Sequence, residues 1–232
     1  MTNGVMEVLI RPDAFFSRLF EGEVSLKVPG LIAAIGAVIT AVAAYMISSP
    51  TVGMFSEAAG PSAEGFLGII GVFGAVIAFF GFFIGYWIIL AGVFHVISAI
   101  FKGKGSFRRT LQAEGYGLVP MIIGSAISAL LSLFYIPLIK VPMISSLNDP
   151  SAITRGIAQI YADPAMREFA QVSGIVSIIF LIWSANIWIF GMKHARELST
   201  RNATTTVGVP VLILIIYTIA TAFFGLGLPG AA

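Results

Sequence analysis

The fold class this sequence predicts is all-α, a polytopic integral membrane protein built as a five-helix transmembrane bundle with short interfacial amphipathic helices. Three observations predict it. Of 232 residues, 58% are hydrophobic and only 10% are charged, against roughly 45–50% and about 25% in ordinary soluble domains. Mean hydropathy is +0.98. Four segments hold roughly 20 residues each with almost no charge, the length that crosses a bilayer core. Such a composition excludes a disordered chain, a nucleic-acid binder and an ordinary soluble enzyme. With no cysteine, disulfides, thiolate metal sites and palmitoylation are excluded too. No composition shift marks a domain boundary, so residues 1–232 read as one domain.

Residues 1–27 carry Arg11, Arg18 and Lys27 and no uninterrupted apolar core, unlike a cleavable signal peptide. Within them, Phe15, Phe16, Leu19 and Phe20 share one helical face, opposite Ser17, Arg18 and Glu21. Residues 12–21 are therefore a short helix at the membrane surface. Its apolar face meets either the headgroup layer or the end of the bundle itself.

The clear spans are 28–47, 118–139, 172–192 and 207–228. Residues 66–100 are ambiguous, because one helix of that length covers about 52 Å while the hydrocarbon core measures about 30 Å. A hairpin would have to turn near 79–87, Phe-Phe-Gly-Phe-Phe-Ile-Gly-Tyr-Trp. No Asn, Asp, Ser or Pro stands there to satisfy freed backbone groups, and lipid cannot. Charge decides in the same direction. With one helix, ten of the 13 Lys and Arg fall on one side and three on the other; a hairpin would divide them almost evenly. The positive-inside rule then gives five spans, the N-terminus cytoplasmic and the C-terminus outside.

On the outer side, Asp149-Pro150 and Asp163-Pro164 each read as an N-cap followed by proline at the first helical position. The first begins an amphipathic helix over 151–161, and the second a helix that runs into the fourth span. Asn202-Ala203-Thr204 reads as a polar turn before the last span.

Small residues form the loudest pattern inside the spans. Gly68, Gly71 and Gly74 recur every third residue, Gly81 and Gly85 follow, and Gly124, Ser128 and Ser132 make an i, i+4, i+8 stripe. Such stripes let helices approach closely in lipid. They serve packing within the chain in the first place, and a seam with a second copy in the second.

Ionisable groups, the usual mark of a pump, are almost missing from the spans. His95, Asn186 and His194 lie toward the cytoplasmic ends. A metal set of His95, Glu114 and His194 lacks ligand spacing, and no hydrolase, phosphate-loop or zinc-protease motif is present. Hence no catalytic residue, cofactor or metal is expected. The most basic stretch is 101–110, Phe-Lys-Gly-Lys-Gly-Ser-Phe-Arg-Arg-Thr. Its Lys102, Lys104, Arg108 and Arg109 attract anionic headgroups at about 1 kcal/mol each when close to the surface. Tyr116 follows at the expected membrane interface.

These residues resemble the Yip1-domain family. The resemblance is carried by 12–20, by 101–110, by Gly115-Tyr116 with Pro120, and by 191–199, Gly-Met-Lys-His-Ala-Arg-Glu-Leu-Ser, in that order along nearly the whole chain. It implies five spans and a cytoplasmic N-terminus. Eukaryotic members are linked to vesicle traffic and to prenylated Rab GTPases, and carry Asp-Leu-Tyr-Gly-Pro before the first span. This chain has Gly-Glu-Val-Ser-Leu-Lys-Val-Pro at 22–29, and looks like the compact prokaryotic members.

The function expected is non-enzymatic: membrane organisation, or recruitment of a cytoplasmic partner. Phe15, Phe16, Arg18, Lys102, Lys104, Arg108, Arg109 and Tyr116 would meet lipid headgroups or protein. The alternative is a transporter or channel with a path lined by Ser128, Ser132 and Asn186.

Overall fold

A computed structural model describes residues 2–59, 64–144 and 149–225. They are helical, without a strand among the described residues. The order is α1 (Thr2–Ile10), α2 (Pro12–Leu19), α3 (Lys27–Ala59), α4 (Glu64–Phe80), a π-helical stretch (Gly81–Ile89) and α5 (Leu90–Ile100). Then come α6 (Phe107–Gly117), α7 (Val119–Tyr135), α8 (Pro150–Ala162), α9 (Pro164–Ala195) and α10 (Thr200–Phe224). Five helical stretches are long and apolar enough to cross a membrane. Their outer faces carry exposed Ile69, Phe73, Ile77, Ile179 and Ile213, the surface that lipid solvates.

The ambiguous second span is one continuous helix from Gly68 to Ile100. Its departure from α geometry lies in the aromatic run. Phe82 and Trp87 are both buried although five residues apart. An α-helix would point them to different faces, whereas i→i+5 winding brings them onto one. Phe83 meets Trp87 edge-on at 5.0 Å and stacks on Phe79 at 6.2 Å. The backbone stays hydrogen-bonded throughout, as hydrocarbon requires.

Other boundaries moved outward. The first span, expected to end at 47, runs on through Pro50 to Ala59, because Met54 is fully buried in a cluster at that end with Ile139, Ile144, Ile160, Met166 and Phe169. No element is expected over residues 1–10, yet α1 forms there and buries Val8. The expected polar turn at 202–204 lies instead inside α10, which begins at Thr200 with Ser199 as its cap. Thr204 and Thr206 donate their hydroxyls to the carbonyls of Thr200 and Asn202, at 2.9 and 2.8 Å, so the helix tolerates them. Residues 226–228 of the expected fifth span lie outside the described residues.

The caps at Asp149 and Asp163 both form. Asp149 accepts from the amides of Ser151 and Ala152 at 2.9 and 3.2 Å, and Asp163 from that of Ala165 at 2.8 Å. The break entering the third span also forms: α6 and α7 are separate helices joined at Leu118, with Pro120 in the first turn of α7.

The small residues divide into two groups. A side chain at Gly71 would meet Tyr45 at 3.1 Å, and one at Gly124 would meet Phe180 at 3.0 Å. Both glycines hold α-helices together, and Ser132 is fully buried, donating to the Ala129 carbonyl at 2.7 Å. Ser128 has a buried hydroxyl without a partner. Gly68, Gly74, Gly81 and Gly85 face open space. They make no close approach among the described residues, because the face of the second span that meets α3 is the one bearing Gly71.

Candidate functional site

The basic end of the bundle is assembled from three separate segments: the α1–α2 elbow, the α5–α6 connection and the α9–α10 connection. A buried arginine joins two of them. Arg196 is 4% exposed. Its Nε donates to Ser98 Oγ at 2.9 Å, one terminal nitrogen donates to the Gly103 carbonyl at 2.6 Å, and the other donates to the Gly105 carbonyl. In return the Lys104 amide donates to the Arg196 carbonyl at 2.9 Å. A planar guanidinium with five donors suits this role, since it spans three acceptors at once. Gly105 has φ +92°, and a side chain there would collide with the Ala195 carbonyl, so glycine is required for the loop to lie this close.

Below the loop, His95 Nδ1 pairs with Thr110 Oγ1 at 3.0 Å. Helix α6 is buried nearly all round. Two indoles hold it, as Trp87 donates to the Leu111 carbonyl at 3.0 Å and Trp188 to the Glu114 carbonyl at 2.9 Å. Glu114 itself is 1% exposed, and both its carboxylate oxygens lack partners. It does not gather with His95 and His194: the latter instead binds Asp13 at 2.6 Å. Among the described residues no three His, Asp or Glu side chains converge as a metal site would need.

The residues read as lipid or partner contacts separate in the structure. Phe15, Phe16 and Tyr116 form an aromatic cluster inside the bundle. Phe15 meets Tyr116 edge-on at 5.0 Å, and Phe16, fully buried, sits where Gly191 leaves room. Of the two surfaces open to the apolar face of α2, it takes the bundle's own end. Tyr116 points inward because α6 is covered on both sides. Arg18 is exposed and paired with Glu7 of α1. Arg109 is half-buried, over the Phe20 ring at 5.5 Å and donating to the Phe20 carbonyl at 3.2 Å. Lys102, Lys104 and Arg108 are exposed, and their side chains have no hydrogen-bond or ion-pair partner among the described residues.

The α2–α9 tie was not visible in the sequence. Lys193 donates to both Asp13 oxygens, at 2.8 and 3.1 Å, beside the His194 contact. Hydrogen bonds from Lys193 first and His194 second hold the Asp13 carboxyl below its ordinary range.

An uncharacterized protein of Methanocaldococcus jannaschii is 39% identical over 124 residues, 53% of this chain and 84% of that protein. No solved structure matches. The Yip1 domain matches residues 6–222, from α1 into the last turns of α10, and the chain belongs to the Yip1 domain family.

Proposed function

We propose that the chain is a non-enzymatic organiser of membrane, with its basic end turned to the cytoplasm and holding anionic headgroups. One observation carries this reading: Lys102 and Lys104 project from a loop whose backbone is fixed by buried Arg196, and Arg108 from the first turn of α6 beside it, all three without a side-chain partner among the described residues. Charges that serve only to orient a chain need no fixed display. Here a buried guanidinium and a glycine at positive φ hold the loop in one shape, so little backbone ordering cost remains when the cations meet a surface.

The test uses protein in nanodiscs of neutral lipid, binding liposomes with and without anionic lipid. Replacing Lys102, Lys104 and Arg108 by Gln removes about 1 kcal/mol per cation near the surface. Binding to anionic liposomes is expected to fall by roughly 100-fold at low salt and to depend less steeply on salt. Equal binding by the triple variant would refute the reading. Arg109 is left in place because Phe20 already holds it.

A further inference from the structure

A second polar surface lies on the flank of this end, away from the basic loop. A cleft of about 630 Å³ opens between the α1–α2 elbow and α9. Its inner wall is one face of α9, carrying Asn186, Phe190 and Lys193 at helical spacing. Its outer wall is Ile10, Arg11, Asp13 and Ser17. We infer that this cleft binds the phosphate headgroup of an anionic phospholipid, held by Arg11, Lys193 and the amino end of α2 and seated above Asn186.

The charge of the cleft favours an anion. Arg11 is exposed and its guanidinium has no partner among the described residues. Lys193 gives hydrogen bonds to Asp13, but an ammonium has three donors and one remains over. Arg11 and Lys193 outweigh the single Asp13 carboxylate. The first turn of α2 adds its amide groups, since no side chain caps it and the amides of Asp13 and Ala14 have no carbonyl one turn earlier within the helix. A helix amino end with free N–H groups attracts phosphate oxygens.

The remaining wall chooses a lipid over a soluble anion. Asn186 is exposed on α9 within a segment apolar enough to cross the membrane, and its side-chain amide has no partner among the described residues. It lies about 10 Å deeper along the helix than Lys193. An amide turned to lipid without a partner is costly, and the ester carbonyls beneath a phosphate are acceptors placed to relieve it. Phe190 and Ile10 give the glycerol region apolar contact. Beyond Asn186 the same face continues through exposed Trp183 and Ile179, a path for an acyl chain.

This inference rests on the membrane placement of the proposed function but not on the basic loop, and the two fail separately. The experiment measures retention of phosphatidic acid against phosphatidylcholine by native mass spectrometry of delipidated protein in detergent. Parallel thermal-shift arms use inorganic phosphate and glycerol 3-phosphate. Wild type is expected to retain phosphatidic acid selectively. R11Q and N186L should each weaken that retention about tenfold, and by the same factor whether Lys102, Lys104 and Arg108 are present or replaced by Gln. Both positions are exposed and without a side-chain partner among the described residues, so neither variant removes a contact of the fold. Equal retention by R11Q and N186L would overturn the inference. So would stabilisation by inorganic phosphate as large as that by phosphatidic acid, which would mark an anion site without lipid. Loss of retention in the loop variant alone would also overturn it, since the lipid would then sit on the loop.

Discussion

Arg196 Nε and Ser98 Oγ meet at 2.9 Å although 98 positions separate them in the chain. Ser98 in turn donates to the His95 carbonyl at 2.6 Å. The end of the second span, the basic loop and the end of the fourth span are thus one hydrogen-bonded unit, centred on a charge with almost no access to water. Such a centre stabilises only while every donor is matched, because a buried charge or carbonyl left alone is costly.

Replacing Arg196 by Ala therefore removes more than one contact. The carbonyls of Gly103 and Gly105 and the Ser98 hydroxyl lose their donor together. A loss of about 2–4 kcal/mol is expected, measured by reversible denaturation in mixed micelles. Lys in its place recovers little, since an ammonium cannot span three acceptors in a plane. Hydrogen exchange over 101–106 should rise in both variants. A loss under about 1 kcal/mol with unchanged exchange would show that the loop is held by something else.

The glycines offer a contrast within a single chain. Gly124 lies under Phe180 and Gly191 lies under Phe16 and Ala113, so a leucine at either position must displace a neighbour. Each is expected to cost about 1–3 kcal/mol or more. Gly74 faces open space; Ala there should raise stability by about 0.5–1 kcal/mol through helix propensity. Comparable destabilisation at Gly74 and Gly124, read from the same unfolding curves, would contradict the separation described above.

This contrast also shows what the sequence carried and what it did not. Gly68, Gly71 and Gly74 form one pattern on paper, but a spacing of three drifts around a helix of 3.6 residues per turn, and only Gly71 reaches α3. The spans, the proline-marked caps at Asp149 and Asp163, and the unbroken second span were legible because local chemistry fixes them: length, charge count, or a carboxylate next to a free amide. The pair Asp13–Lys193 lies 180 residues apart, and nothing local marks it. Phe15 and Phe16 declared an apolar face without declaring what would cover it. Arg196 stands just past a long apolar helix beside Lys193 and His194, where an exposed and a buried cation look alike until the fold closes round one of them.

The Asp13 tie gives a pH dependence with a definite sign. Its carboxyl is held below the ordinary range by Lys193 and His194, so the folded state favours the ionised form. Stability from the tie is fully present above the unfolded carboxylate range, about pH 4, and is lost as pH falls through the lower folded value. Half of the Asp13 side chain is exposed, 51%, so the contribution is screened and about 0.5–1 kcal/mol. Asp13→Asn should lose that amount at pH 7, lose nothing near pH 2, and flatten the acid limb between. A variant equally destabilised at both pH values would show that the carboxylate acts through packing instead.

The topology has a direct test, because the chain contains no cysteine and each single-cysteine variant reports alone. In the structure, Arg108 lies at the end that Arg196 and the α1–α2 elbow share, while Arg155 of α8 lies near the other end, with Asp149 at 3.8 Å. An odd number of crossings between two points puts them on opposite sides of the membrane, and the third span is the one crossing between these two. Arg108→Cys and Arg155→Cys should therefore react with an impermeant maleimide from opposite faces. The positive-inside rule adds the direction: Arg108→Cys from the cytoplasmic face, with ten cations against three. Should both react from the same face, the third span does not cross. Should Arg108→Cys react only from outside, the bundle is inverted and its basic loop meets a leaflet that is poor in anionic lipid, which removes the electrostatic basis for headgroup binding there.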